Sequence, residues 1–266
     1  MFLFFVCREI LAGLSRPGLL MWVSLLAIPL NMLGNYTLMY GKWGFPELGV
    51  GGIALSTSLV TLGMFLTLFF YIKRHYYFRE FRLFECLPTF VSGDIKALLR
   101  LGGPAAFSFG FESSLFAITA ILMGYFGTVA LASHQIAIQC ATVSFMVPYG
   151  ISQAAAIRVG KAYGAKQIRD VYWATGIGMF CGLSFAILSS MSFVLFPEIF
   201  INIFLDLSNP ENLAVAEVGA SFLAIAGLFQ LVDCVQILFA GSLRGLKDTF
   251  IPMCISIFSY SVCGLA

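Results

Sequence analysis

The chain has 266 residues, of which 60 % are hydrophobic and 11 % are charged. A soluble domain carries about 25 % charged residues, so this composition argues against an ordinary water-soluble fold. A net charge of +2 is too small to point to nucleic acid. The seven cysteines are odd in number and contain no C-x-x-C pair, which argues against a disulfide framework or a zinc site and leaves them as small packing residues.

In chain order, the start (MFLFFVCREI) is apolar, with no basic region before it and no small-residue cleavage site after it. It reads as the tail end of a membrane helix rather than a signal peptide. Six full spans follow, at 18–40, 47–72, 98–123, 129–156, 171–196 and 214–240, and a partial one at 250–266. Each full span has the roughly 20 apolar residues that cross a bilayer. None alternates in polarity as the ten-residue strands of a membrane barrel do. The predicted fold is an all-α, polytopic transmembrane bundle.

The linkers carry the charge. Arg8 and Arg16 precede the first span, and Lys42 is the one basic residue of the next linker. The long linker 73–97 holds Lys73, Arg74, Arg79, Arg82 and Lys96, with Arg100 at its edge. The linker around Gly124 to Gly127 is uncharged, and Arg158, Lys161, Lys166 and Arg169 follow the fourth span. The next linker is acidic, with Glu198, Asp206 and Glu211, and the last holds Arg244 and Lys247. Strict alternation of sides places all of the 15 basic residues except Lys42 on one face. The positive-inside rule makes that face cytoplasmic.

Glycine and proline recur inside the spans, as in Pro29, Gly102-Gly103-Pro104 and Pro148-Tyr149-Gly150. They serve close helix packing or act as hinges, and sequence does not separate the two. A weak repeat pairs Gly13-Leu14 with Gly245-Leu246, and at the same offset Ser24 with Ser256, as two related halves would show.

Of the 13 acidic residues, Glu112 and Asp233 alone lie well within spans. A charge at bilayer depth costs roughly 2.5–3.5 kcal/mol on insertion scales, and is retained where it faces a cavity and binds something. With no Lys or Arg deep in any span, the expected partner is a mobile cation: a proton, Na⁺ or a cationic substrate. The plainer alternative is a protonated carboxyl hydrogen-bonded to a neighbouring helix. Asn31, Asn35, Thr57, His134, Gln135, Gln139, Gln153, Gln230 and Gln236 are further polar groups in the spans, each readable as interhelical glue or as a ligand. His75 and His134 are too far apart in sequence to suggest a metal site.

Several stretches together resemble one family. They are Ile28-Pro29-Leu30-Asn31, Asn35-Tyr36, Tyr40-Gly41-Lys42-Trp43-Gly44, Pro46-Glu47-Leu48-Gly49, Gly103-Pro104 with Glu112, and Leu131 to Ala137 (LASHQIA). Pro148-Tyr149-Gly150, Arg158-Val159-Gly160, Gly164-Ala165, and Asp233 followed by Gly241-Ser242-Leu243-Arg244-Gly245 and Lys247-Asp248 complete the set. The pattern resembles the multidrug and toxic compound extrusion (MATE) family in its NorM-like branch, along nearly the whole chain. The resemblance implies a twelve-helix, two-lobe antiporter, a monomer in its full-length form. It would export cationic aromatic drugs against entry of Na⁺ or H⁺, with no resident cofactor and no metal other than Na⁺ at Glu112 and Asp233. By position, Glu112 and Asp233 resemble the second-lobe cation-site acids, and Asn31, Asn35 and Thr57 are similar to first-lobe polar residues. Phe229 stands where some members have tyrosine, which removes a hydroxyl ligand. The spans resemble helices five to ten with part of eleven. Residues 1–96 are then the end of the first lobe with the inter-lobe linker, and 97–266 a truncated second lobe, expected not to transport alone.

Three other readings compete with this one. A lipid-linked precursor flippase of related architecture is expected to have a basic cavity. An intramembrane protease needs a Ser–His pair or paired Asp motifs, and these spans hold one His and one deep Asp. A non-transporting membrane remnant is the third.

The charge pattern yields a topology prediction. In a cysteine-free background in intact cells, an impermeant thiol reagent is expected to label a cysteine at position 42 and not one at position 80. The opposite result would overturn the orientation.

Overall fold

The computed structural model describes residues 1–14, 16–79, 92–205 and 210–259. Among these every regular element is helical. The chain divides into two compact units, Met1–Thr89 and Phe90–Ala266. Among the described residues, six helices are long and apolar enough to cross a membrane.

In the first unit, α1 (Phe2–Gly13) and α2 (Gly18–Tyr40) both pack on α3 (Val50–Arg74), and the short α4 (Tyr76–Arg79) follows. Cys7 and Leu11 of α1 meet Leu68 and Ile72 of α3 and Phe78 of α4 in a buried apolar cluster. The α2–α3 contact is close. A Cβ on Gly34 would run into the Ser56 hydroxyl, and one on Gly52 would run into the Leu38 carbonyl. The connection turns sharply at Gly41, whose φ of 62° is a left-handed conformation that glycine adopts without steric cost.

The second unit is built on α9 (Pro210–Gly245), which packs most extensively against α6 (Thr128–Gly164) and then against α7 (Ile168–Leu195). The short α8 (Pro197–Asn202) lies on α9, while α5 (Ser92–Tyr125) and α10 (Phe250–Phe258) pack on each other. Lipid tails are as apolar as leucine, so helix association inside a membrane depends on close approach and interhelical hydrogen bonds. Both operate on α9. Buried Ser133 and Ser152 of α6 donate to the backbone carbonyls of Val215 and Ile237. Gly227 faces the Ser190 backbone, Gly241 faces Ser152, and a Cβ on Gly245 would stand 2.6 Å from the Ala156 carbonyl oxygen.

The outward faces remain apolar, with Trp22, Met32, Ile121, Phe180, Leu188 and Val232 all exposed, as a surface against lipid tails requires. The chain is a multi-pass membrane protein. The six full spans lie near their predicted positions and several run longer, α5 beginning at residue 92 rather than 98 and α9 ending at 245 rather than 240, while 260–266 of the partial span lie outside the described residues. The stretch 157–164, read as linker because it carries Arg158 and Lys161, continues α6 as helix. At 37 residues α6 is longer than a hydrocarbon core of about 30 Å needs, and its charged end is the excess. Nothing in that stretch breaks a helix until Gly164, after which Lys166 takes a positive φ. Pro104 and Pro148 likewise lie inside continuous helices, so neither ends its element.

The glycine contacts give a paired prediction. Gly245→Ala is expected to lower the detergent-solubilised melting temperature by several degrees, because the methyl meets backbone. Gly176→Ala, with open space around its Cβ, is expected to be neutral or to gain up to about 1 kcal/mol of helix propensity. Equal melting temperatures for the two variants would contradict the packing.

Candidate functional site

Two polar groupings hold the sequence-nominated residues, one in each unit. In the second unit, Glu112 of α5 and Asp233 of α9 line one cavity, together with Thr249 at the start of α10 and Pro252 and Ser256 within it. Its volume is about 50 Å³, enough for a few waters or a small hydrated cation. The helical repeat explains the lining. Ala105, Ser108, Phe109 and Glu112 lie three, four and seven residues apart on α5 and so share a face. On α9, Asp233, Gln236, Ile237, Ala240 and Arg244 form a second stripe at the same periodicity.

Both carboxyl groups are half-buried. The ion pair found among the described residues joins Arg8 to Glu9 at the other end of the chain. Two like charges around so small a space repel each other unless a cation or proton comes between them. The Gln236 side-chain amide donates to the Ser256 hydroxyl at 3.5 Å, tying α9 to α10 across the cavity. Phe229, one turn before Asp233, is exposed and outside the lining.

Arg244 is the residue that sequence reading placed elsewhere. Its position after the apolar run made it a linker charge. The structure has it in the last turn of α9, with its side chain in the same cavity as the two acids. One terminal nitrogen donates to the Ser152 hydroxyl at 3.3 Å, and the guanidinium lies over the Phe109 ring with 6.0 Å to its centroid. Its Nε is buried without a partner. A long side chain reaches back from a helix end into the protein, so its depth is not that of its Cα. The signal was the spacing: eleven residues are three turns, which returns Arg244 to the Asp233 face.

The first-unit grouping is a hydrogen-bonded relay. The Asn35 amide donates to Asn31 Oδ1 at 2.9 Å, and the Asn31 amide donates to the Thr57 hydroxyl at 3.4 Å. Asn31 and Asn35 are one turn apart on α2, and Thr57 comes from α3. Beside them the buried Oδ1 of Asn35 and hydroxyl of Ser56 have no partner, so the grouping retains acceptor capacity.

Other nominated polar residues act as glue. Buried Gln230 donates to Ser144 at 2.7 Å, and Ser144 shares a hydrogen with Ser189 of α7, so three helices are joined. Gln153 instead bonds within α6, donating to the Tyr149 hydroxyl at 3.0 Å, and His134 of α6 meets Phe222 of α9 edge-on.

Comparison with known proteins shows the family and the fold. The MatE family model matches residues 104–266. The "Probable multidrug resistance protein NorM" of Brucella suis biovar 1 (strain 1330) is 41 % identical over 262 residues, covering 98 % of this chain and 56 % of the relative. That of Mesorhizobium japonicum is 39 % identical with the same coverage. The "Multidrug resistance protein NorM" of Burkholderia vietnamiensis is 38 % identical, covering 95 % of this chain and 54 % of its own. The chain thus spans a little over half the length of these curated relatives. A "Crystal structure of MATE in complex with MaL6" superposes with a TM-score of 0.81 at 19 % identity, over 96 % of this chain and 56 % of that one. A "Crystal structure of MATE in the bent conformation" gives 0.78 at 20 % identity, over 98 % and 55 %. At such identity the two structures speak to the fold alone.

Proposed function

Because this chain belongs to the MatE family, we propose that it carries the ion site of a cation-coupled antiporter that exports drug-like, cationic molecules across the cell's inner membrane. The observation that supports this most directly is the meeting of Glu112 and Asp233 in one small cavity inside the second unit. A transporter of this kind needs no chemical step. It needs a site whose occupancy by one cation opposes occupancy by another, and a framework that presents the site to each side in turn.

The two carboxyls supply the first requirement. Each is stable in the spans when neutralised, and the coupling ion, Na⁺ or H⁺, neutralises them from one side of the membrane. A cationic substrate competes for the same negative charge, so entry of the ion favours release of the substrate. Serine and threonine oxygens of α10 stand by as further ligands for Na⁺, and a proton needs none of them. In the first unit, the Asn31–Asn35–Thr57 relay offers neutral oxygens and amide hydrogens, a polar surface for substrate rather than an ion trap. On this reading residues 1–96 belong to the first lobe and 97–266 to the second. The protein works as a monomer, without a resident cofactor. Its surroundings are lipid, and its cargo is small molecules.

The test uses the protein expressed from its complete gene, reconstituted in liposomes loaded with ethidium. Imposed Na⁺ or H⁺ gradients are expected to drive dye movement. Glu112→Gln and Asp233→Asn are each expected to reduce that movement at least ten-fold at unchanged insertion, because a neutral amide cannot cycle between charged and neutral states. Gradient-driven efflux at the unaltered rate in both variants would refute the proposal.

A further inference from the structure

The cavity that holds Glu112 and Asp233 also holds a cation that belongs to the chain. We propose that Arg244 is a tethered countercharge: a positioning residue whose fixed positive charge weakens the cavity's hold on a mobile cation and so permits its release. The proposal rests on the reading of this cavity as a cation site.

Three features of the geometry carry it. First, the guanidinium is held and does not roam. The Ser152 hydroxyl that accepts its hydrogen bond itself donates to the carbonyl of Ile237, one turn from Asp233, and the Phe109 ring, one turn from Glu112, lies beneath it. Both anchors therefore hold the charge at the wall of the cavity that both acids line, although the α-carbons of Asp233 and Arg244 are roughly 16 Å apart along the helix. Second, the guanidinium contacts Ser152 and Phe109 rather than the carboxylates. No ion pair joins Arg244 to either acid among the described residues, where an arginine free to move would form a bidentate one. Third, the residue is kept at a cost. Its buried Nε has no partner, and an unsatisfied charged donor lowers stability.

The use follows from counting charge. Two carboxylates alone would present two negative charges in a space where water is scarce and Coulomb forces are long-ranged. A monovalent cation entering such a site leaves it still negative and is held too firmly to exchange. With the guanidinium the net charge is one negative, and a single monovalent ion or proton brings the cavity to neutrality. Binding is then weak enough to reverse, and a second cation has no charge left to answer. A structural role for Arg244, as a mere clamp between α5, α6 and α9, predicts the opposite sign on removal: a looser site and weaker binding.

The experiment separates the two by sign. Gradient-driven ethidium efflux is measured in liposomes against the concentration of the driving ion, Na⁺ or H⁺. Arg244→Gln and Arg244→Met, the second keeping the apolar stem, are each expected to lower the half-saturating ion concentration about ten-fold and to lower the maximal rate, because release slows. Arg244→Lys, which keeps the charge, is expected to stay within about three-fold of the unaltered protein in both. A half-saturating concentration that is unchanged or raised in whichever of the Gln and Met variants folds overturns the countercharge. Loss of folding in both, with Arg244→Lys also unfolded, shows that the guanidinium's contacts with Ser152 and Phe109 matter rather than the charge, and overturns it too. If the unaltered protein shows no ion-driven efflux, the cation-site reading itself fails and this inference falls with it.

Discussion

Lipid offers no hydrogen bonds, and the structure is organised by that absence. A polar group carried into a span must be answered by protein or by a cavity. The serine and threonine side chains answer locally: Thr61, Thr67, Ser114, Thr142 and Ser184 each donate to the carbonyl four residues back on their own helix. Ser133 and Ser152 instead reach across to α9, and there the bond does two things at once. It satisfies the hydroxyl, and it fixes the register of two helices that no hydrophobic force sorts. Glu112 and Asp233 cannot be answered in this way, because a carboxylate needs a charge or several donors. They open onto a cavity instead.

The same constraint explains why the α6–α9 seam is made of small residues. Interhelical bonds to backbone carbonyls require backbones within reach, and only glycine at 241 and 245 permits that approach. The seam in turn holds the cavity floor, since Ser152 anchors both α9 and the Arg244 guanidinium. Packing and electrostatics thus meet at one hydroxyl. Changing Ser152 would alter the helix register and the position of the charge together, which is why the charge itself is the cleaner thing to vary.

Much of this was legible in the sequence, and the reason is physical. Span length and charge placement are set by the bilayer, so the six spans follow from hydropathy, and the rarity of acids at depth singled out Glu112 and Asp233. What escaped was the third dimension. Whether Asn31 meets Thr57 depends on which faces of α2 and α3 turn together, and their apolar residues are spread too evenly around each helix to tell. Arg158 and Lys161 looked like linker because charge was taken to mark the end of a helix, whereas it marks the end of the membrane. Arg244 was misplaced for the same reason, since its Cα lies near the boundary and its charge does not. Counting turns from Asp233 would have put it on the right face, but only Ser152 and Phe109 show that it reaches inward.

The seam has a consequence for how such a protein can diversify. Where a Cβ would strike a carbonyl, at Gly245 or Gly52, every substitution is strained, so these positions tolerate almost no heritable change. Around the cavity, small residues such as Ala105 and Ala240 form part of the lining, and the outer faces ask only to remain oily. Lining residues can therefore be exchanged without disturbing the joints. The architecture separates a rigid inheritance from an evolvable one, and draws the line between them within a single turn of α9, from Ala240 to Gly241.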